Sequence, residues 1–256
     1  LLDNVIPLER RIGDRLFARY MIKSVGGYVA MSDSVLKDAK SFDDTKPCSL
    51  TPHPLYDNFG DKVSRDEAIA HLRLDADQRY ILFFGLIRDY KGLDLLLRAF
   101  ADKRLRGKNV KLLVAGEFYS NAERYEQLEQ ELELAQHIVW CKEIIPADEV
   151  RYYFAVADLV AQPYKSATQS GITQIAYHFE RPMLVTDVGG LAEIVPHGKV
   201  GYVVKPNADD IADALVDFIN HKQDSDFSTG IVAEKIKYTW DKMTATLIDV
   251  ANKVNQ

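Results

Sequence analysis

The sequence predicts an α/β chain built on a doubly wound parallel sheet, preceded by a partial second unit of related construction. Three observations carry this expectation. From about residue 80 to residue 219, short apolar runs alternate with amphipathic stretches, strand then helix, without interruption. Most of the apolar runs are continuous rather than alternating, as strands covered on both faces require. Three of the strand ends pass into turns of glycine and small residues that open a helix, and such sheets place ligands at the carboxyl ends of their strands.

The 256 residues are 47% hydrophobic and 27% charged, proportions that exclude a disordered or fibrous chain. The net charge of −6 argues against a duplex-binding domain, so no nucleic-acid partner is expected. Cys48 and Cys141 alone make neither a disulfide framework nor a cysteine zinc site, and they fit a reducing compartment. No apolar run approaches the ~18 residues of a membrane span. No short apolar segment behind a basic start marks a secretory signal. The chain opens Leu1-Leu2-Asp3 without an initiator Met and reads as a fragment.

In order along the chain, residues 9–24 read as a basic amphipathic helix bearing Arg10, Arg11, Arg15, Arg19 and Lys23. Residues 27–31 read as a strand and 33–41 as a short helix, too little for a whole domain. The Pro-rich segment 51–57 is a linker. Strands follow over 80–84, 110–115, 138–141, 159–162, 183–186 and 201–204. Helices separate them. The helix over 93–101 carries Leu93, Leu96, Leu97 and Phe100 on one stripe. That over 121–135 has Asn121 as its cap, and that over 146–156 has Pro146 in its first turn. The helices over 170–179, 190–195 and 208–219 complete the alternation, and a long final helix runs over 231–254.

Three turns are candidates for chemistry. In Gly85-Leu86-Ile87-Arg88-Asp89-Tyr90-Lys91-Gly92, two cations stand at a helix start, an arrangement suited to a diphosphate. The spacing matches neither GxGxxG nor a P-loop. In the hydroxyl-rich segment from Pro163 to Gln174, Ser170 is the expected cap, and the N–H groups of Gly171, Ile172 and Thr173 are expected to be free for a phosphate. The third is Thr186-Asp187-Val188-Gly189-Gly190-Leu191-Ala192-Glu193. Each alone is compatible with solvated cations and ordinary turns; their convergence on one sheet is the stronger signal. The six histidines show no metal-ligand spacing, and His53 stands apart only because it lies in the linker. No GxSxG elbow supports a hydrolase. The basic helix is either a solvated face or a contact for anionic lipid or a phosphorylated acceptor.

These turns, in this order, resemble the donor-binding domain of GT-B glycosyltransferases, and more narrowly the retaining group 1, or family 4, enzymes. The matching stretches run from Phe83 to Gly92, Leu113 to Glu117, Ala157 to Pro163, Arg181 to Glu193 and Gly198 to Val204, and the segment from Asn4 to Arg11 resembles the end of that family's first domain. The resemblance implies that 1–51 is the last part of an acceptor-binding N-terminal domain and 52–58 a linker. It makes 59–230 the Rossmann-like donor domain and 231–256 a helix crossing back. It implies that Lys91 contacts the donor diphosphate, with Arg88 standing in for an arginine that usually follows the first glycine, here Leu86. Gly85 and the turn of Ser170, Gly171, Ile172 and Thr173 are implied to hold the donor, and Ile144 to lie near the nucleobase. The family's paired glutamates align with Ala167 and Ile175, so Thr168, Gln169, Thr173 and Gln174 are left to supply hydrogen bonds. A histidine common in the first domain is Leu8 here.

The expected activity is transfer of a sugar from a nucleotide-diphosphate donor to a hydroxyl acceptor, a glycan or a lipid-linked one, with retention implied by the resemblance. No cofactor and no metal are expected, and there is no Asp-x-Asp motif. The resemblance implies polysaccharide biosynthesis at the cytoplasmic face of a membrane, with peripheral contact permitted. The lost carboxylates motivate an alternative, a non-catalytic glycosyltransferase-like subunit. A GT-B-like epimerase or phosphorylase fits the order of the turns less well.

Overall fold

The computed structural model describes residues 1–6, 12–119, 122–221 and 225–255. The first elements form a small unit. Helix α1 (Asp14–Ser24) turns Ala18 and Ile22 inward. Strand β1 (Tyr28–Ala30), helix α2 (Asp33–Lys40) and strand β2 (Cys48–Leu50) follow, and β1 and β2 pair in parallel. Ser32 caps α2 by accepting from the Val35 N–H at 3.3 Å. A separate apolar cluster of Leu2, Val5, Ala18, Ile22, Tyr28 and Val35 holds this unit together.

Beyond the linker comes helix α3 (Arg65–Leu72), then strand β3 (Arg79–Phe84) and helix α4 (Leu93–Phe100). Strand β4 (Val110–Ala115), helix α5 (Ala122–Glu131), strand β5 (Ile138–Cys141) and helix α6 (Val150–Val156) follow. Strand β6 (Ala157–Gln162) leads to helix α7 (Gly171–His178), and strand β7 (Met183–Thr186) to helix α8 (Leu191–Ile194). Strand β8 (Gly201–Val204), helix α9 (Ala208–His221), helix α10 (Ser225–Lys235) and helix α11 (Trp240–Val254) close the chain. The six strands β3–β8 form one parallel sheet in the order β5-β4-β3-β6-β7-β8. The observed architecture is therefore the mixed α/β, parallel-sheet class that the alternation predicts.

The apolar runs at the centre of the sheet become covered strands, while the edge strands β5 and β8 are partly exposed. Ile81, Leu82, Leu112, Leu113, Val160 and Leu184 are completely buried. Helix α4 adds Leu93, Leu96 and Leu97 from its predicted stripe, each at 0% exposure.

The structure departs from expectation in several places: strand β2 is additional, the helix expected over 121–135 ends at Glu131, and α1 begins at Asp14 after a turn at residues 12–13. The helix expected over 146–156 begins at Val150, because residues 146–149 form a turn closed by the Glu149 N–H on the Pro146 carbonyl at 3.0 Å. The single helix expected over 231–254 is broken at a 3-10 turn, Ile236–Tyr238. There the Tyr238 carbonyl accepts from the Leu55 N–H at 2.9 Å, a linker contact that competes with helical bonding. Helix α3 was not anticipated. The expected cap Asn121 lies outside the described residues, as do Leu8, Arg10 and Arg11.

Helix α11 packs against β1 and β2, so the end of the chain meets its beginning. A Cβ at Gly27 would lie 2.7 Å from the Pro47 carbonyl oxygen and 2.8 Å from Val254 Cγ2, which is why the helix can seat so closely there. Trp240 Nε1 donates to the Leu55 carbonyl at 3.1 Å and ties the linker to the same helix.

Candidate functional site

The strand order reverses direction between β3 and β6. At such a switch point the following helices leave on opposite faces and open a crevice beyond the strand ends. The first two candidate turns flank that crevice.

The turn after β3 is laced to β4. The Gly85 N–H donates to Ala115 O at 2.9 Å, Ile87 N–H to Glu117 O at 2.8 Å, and Tyr119 N–H to Ile87 O at 3.1 Å. The chain then coils into a 3-10 turn, Asp89–Lys91, before α4. Gly92 lies at φ +69°, and a Cβ there would run into the Pro163 carbonyl, so the turn presses directly against the β6–α7 loop.

This packing buries Lys91 to 9% exposure. Its Nζ lies 3.4 Å from the point a Cβ on Gly85 would occupy, and Ile172 Cδ1 of α7 is 3.4 Å from the same point. The ammonium, the first glycine and the start of α7 thus meet. Nζ also stands 5.8 Å from the centre of the buried Tyr164 ring. Burial, and then the neighbouring Arg88 charge, push the Lys91 ammonium down to about 8. No carboxylate contributes to that shift. The Arg88 guanidinium lies 4.2 Å above the Tyr119 ring, and its Nε is buried without a hydrogen-bond partner. Two adjacent cations held this way have the charge and spacing that suit an anion carrying more than one charge.

At the head of α7, Ser170 caps as expected: its Oγ accepts from the Ile172 N–H at 3.2 Å and pairs with the Tyr164 hydroxyl at 3.1 Å. Burial raises the Tyr164 phenol far above its ordinary range, so it stays neutral. The expectation of three free amides is corrected. The Ile172 N–H serves the cap, and the Thr173 N–H turns to Ser170 O at 3.3 Å. The Thr173 hydroxyl also donates to Ser170 O, so this residue has no donor left for a phosphate. Gln174 is fully buried, with both amide atoms unpartnered and closed to solvent. Gly171 keeps its place at the crevice; a Cβ there would be 2.7 Å from Tyr56 Cε2, so the linker tyrosine walls this end of the helix. The Tyr56 hydroxyl meets His53 Nε2 at 3.2 Å, and His53 Nδ1 lies 2.7 Å from the Pro54 carbonyl.

Ala167 and Ile175 are both buried, so the two positions aligned with glutamates are apolar core. Thr168 serves structure: its carbonyl accepts from the Gly190 N–H at 2.9 Å, docking the third turn on the second. The Gln169 amide donates to Asp3 in the N-terminal unit. Ile144 sits on the β5–α6 connection, 70% exposed, an apolar surface at the same edge of the sheet.

Four residues that sequence reasoning did not group form a network beside Lys91. Arg124 of α5 reaches Asp89 at 2.6 Å and Asp94 at 3.3 Å. Lys165 reaches Asp89 at 3.2 Å and Asp94 at 2.9 Å. Lys165, then Arg124, hold the Asp89 carboxyl below the usual carboxylate range. Tyr119, Tyr164 and Tyr56 were also missed as parts of the site. The adjacency of Tyr164 and Lys165 to the strand-end Pro163 was the available signal for two of these residues.

Among the described residues, no group of three or more His, Cys, Asp or Glu is placed to hold a metal ion. No helix there is long and apolar enough to cross a membrane. Arg15, Arg19 and Lys23 do lie on α1, but so do Leu16, Phe17 and Tyr20, each at least 70% exposed. That face is mixed rather than simply polar.

Comparison with known proteins places these features. The family described as "Glycosyl transferases group 1" matches residues 78–221. The lipopolysaccharide 1,2-N-acetylglucosaminetransferase of Salmonella typhimurium is 28% identical, over 76% of this chain and 54% of its own length. The D-inositol 3-phosphate glycosyltransferase of a Nocardioides species is 27% identical, over 97% of this chain and 57% of its own. The chain therefore spans little more than half the length of these relatives. Among solved structures, Anabaena Alr3699/HepE in complex with UDP superposes with a TM-score of 0.84 at 15% identity, covering 98% of this chain and 71% of that one. Sucrose-phosphate synthase from Thermosynechococcus elongatus gives 0.79 at 18% identity, covering 96% and 62%. At these identities the structures establish a shared fold.

Proposed function

The chain belongs to the group 1 glycosyl transferases, and from that premise we propose that it carries the donor half of an enzyme moving a sugar from a nucleoside-diphosphate donor to a hydroxyl acceptor. The observation that carries this reading is the carboxylate-free cation pair of the buried Lys91 and the half-buried Arg88 at the switch point of the sheet. As the glycosidic C–O bond breaks, negative charge grows on the departing diphosphate. Lys91 and Arg88 are already in place to meet it, and one such preorganised group contributes about 3 kcal/mol. Gly85 leaves room beside the ammonium, Gly171 offers its N–H, and Ile144 supplies an apolar surface for the base.

In this reading the cations do the work a metal does elsewhere, and no cofactor is required. Retention, the family 4 assignment and a role in polysaccharide biosynthesis belong to the same proposal. So do a glycan or lipid-linked acceptor, which the unit of residues 1–51 helps to hold, and a cytoplasmic location with peripheral membrane contact through α1. Of the donors, UDP-sugars come first, because a protein of the same fold has been seen with UDP.

One observation favours a second reading, a non-catalytic subunit: Ala167 and Ile175 put buried apolar side chains where the family carries two carboxylates.

The test is calorimetric titration of the chain with UDP, GDP, ADP and their sugar conjugates, without metal and then with Mg²⁺. Metal-independent binding of one nucleotide series, abolished in Lys91→Ala, is the expected result. A folded chain that binds none of them refutes the donor reading.

A further inference from the structure

Six charged side chains meet at the mouth of the crevice: Arg88, Lys91, Arg124 and Lys165 against Asp89 and Asp94. They are not mixed at random. Asp89 lies two residues before Lys91 and Asp94 three residues after it, so either carboxylate is a near neighbour in sequence. Yet both are taken up by the other two cations, through four ion pairs of 2.6 to 3.3 Å. Those cations come from distant parts of the chain, Arg124 from α5 and Lys165 from the β6–α7 loop. Lys165 is itself held in place, its N–H donating to the Tyr90 carbonyl at 2.7 Å. Lys91 and Arg88 are left against aromatic faces, Tyr164 at 5.8 Å and Tyr119 at 4.2 Å, with no acid on either. An aromatic face attracts a cation without neutralising it.

We infer that Arg124 and Lys165 are positioning residues that sequester Asp89 and Asp94, so that Lys91 and Arg88 stay uncompensated and present a net charge of about +2 to a dianionic diphosphate. The inference rests on the reading of this crevice as a diphosphate site and names what tunes it. Without the two outer cations, the carboxylates on either side of Lys91 are free to turn toward it. The six-residue cluster then falls to neutrality, and an incoming diphosphate meets two like charges.

The experiment compares the parent chain with two variants, Arg124→Met/Lys165→Met and the same pair combined with Asp89→Asn/Asp94→Asn. The first cancels the +2 charge; the second restores it while leaving the network broken. Two readouts are taken on chains shown by circular dichroism to be folded. One is binding of inorganic pyrophosphate by calorimetry. The other is the pH midpoint of Lys91 acylation, followed by peptide mass spectrometry. In the first variant the pyrophosphate affinity falls by about tenfold or more and the Lys91 midpoint rises by about one pH unit or more; in the second variant both return toward the parent. If the first variant does not fold, Lys165→Met with and without Asp94→Asn makes the same comparison. A Lys91 midpoint that stays put when the outer cations are removed overturns the inference. So does a failure of the charge-restoring variant to recover, which shows the network to be scaffold alone. If the parent binds no pyrophosphate, that result falls on the donor reading, and the Lys91 midpoints still decide whether the carboxylates are sequestered.

Discussion

Replacing Lys91 with methionine is expected to strengthen the fold while it removes the binding site. In the folded chain the ammonium is lowered from 10.5 to about 8, first by burial and then by Arg88. At ~1.4 kcal/mol for each tenfold change in proton affinity, keeping the amine charged inside the fold costs about 3 kcal/mol. The side chain is 9% exposed, so little of that cost is relieved by solvent. The direction follows from proton binding. Between about pH 8 and pH 10.5 the unfolded chain holds this proton more firmly than the folded chain, so stability rises with pH across that window. Below pH 8 the full cost is present. Methionine has a similar reach and no charge, so Lys91→Met relieves it. In a chain of this size 1 kcal/mol moves Tm by ~2–4 °C, which puts the expected rise at roughly 6–12 °C at pH 7. The same substitution weakens diphosphate binding by about 3 kcal/mol, on the order of a hundredfold. Differential scanning calorimetry at pH 7 and at pH 10, with nucleotide titration of both chains, measures each quantity. A variant that melts below the parent at pH 7, or a parent whose stability is flat from pH 7.5 to pH 10, refutes the account of Lys91 as a charge held at a cost.

Two further outcomes follow from the turns. Ser170→Ala removes the α7 cap, worth about 1 kcal/mol, and strands the buried Tyr164 hydroxyl, which adds about 1 kcal/mol more; urea unfolding reads the sum, and a loss below about 0.5 kcal/mol contradicts the hydrogen-bond assignment. Gly92→Ala forces a left-handed residue to carry a Cβ into the Pro163 carbonyl and costs about 3 kcal/mol; a variant with near-parental Tm shows that the two loops do not meet as described.

Legibility in the sequence followed the range of the forces involved. The strands Val110–Ala115, Ile138–Cys141, Met183–Thr186 and Gly201–Val204 coincide with the predicted runs, because strands of a parallel sheet are short, largely apolar runs. Strand β2 escaped notice since Cys48-Ser49-Leu50 is short and partly exposed. Helix α3 has a local signal in the sequence: Ser64 stands three residues before Glu67, and its Oγ accepts from the Glu67 N–H at 3.1 Å. The break before α11 was not readable, because its cause is the Leu55 N–H, far away in the chain. The site divides in the same way. Lys91, Gly85 and the cap at Ser170 were legible as local turn chemistry. The engagement of the Ile172 and Thr173 amides was not, since a serine cap and a free amide look alike in sequence. The pairing of Asp89 with Arg124 and Lys165, 35 and 76 residues away, is a product of the fold.

The docking of α11 on β1 and β2 sets an order of events. The apolar cluster of the small N-terminal unit is modest, and it is completed by a helix far downstream in the sequence. On a ribosome, the first strands emerge long before Val250 and Val254 exist to cover Gly26 and Gly27. The six-stranded sheet, whose strand-pairing hydrogen bonds are all internal to residues 79–204, does not have to wait. The strand pairing of the sheet can therefore form before α11 docks on β1 and β2, and that docking is a late step.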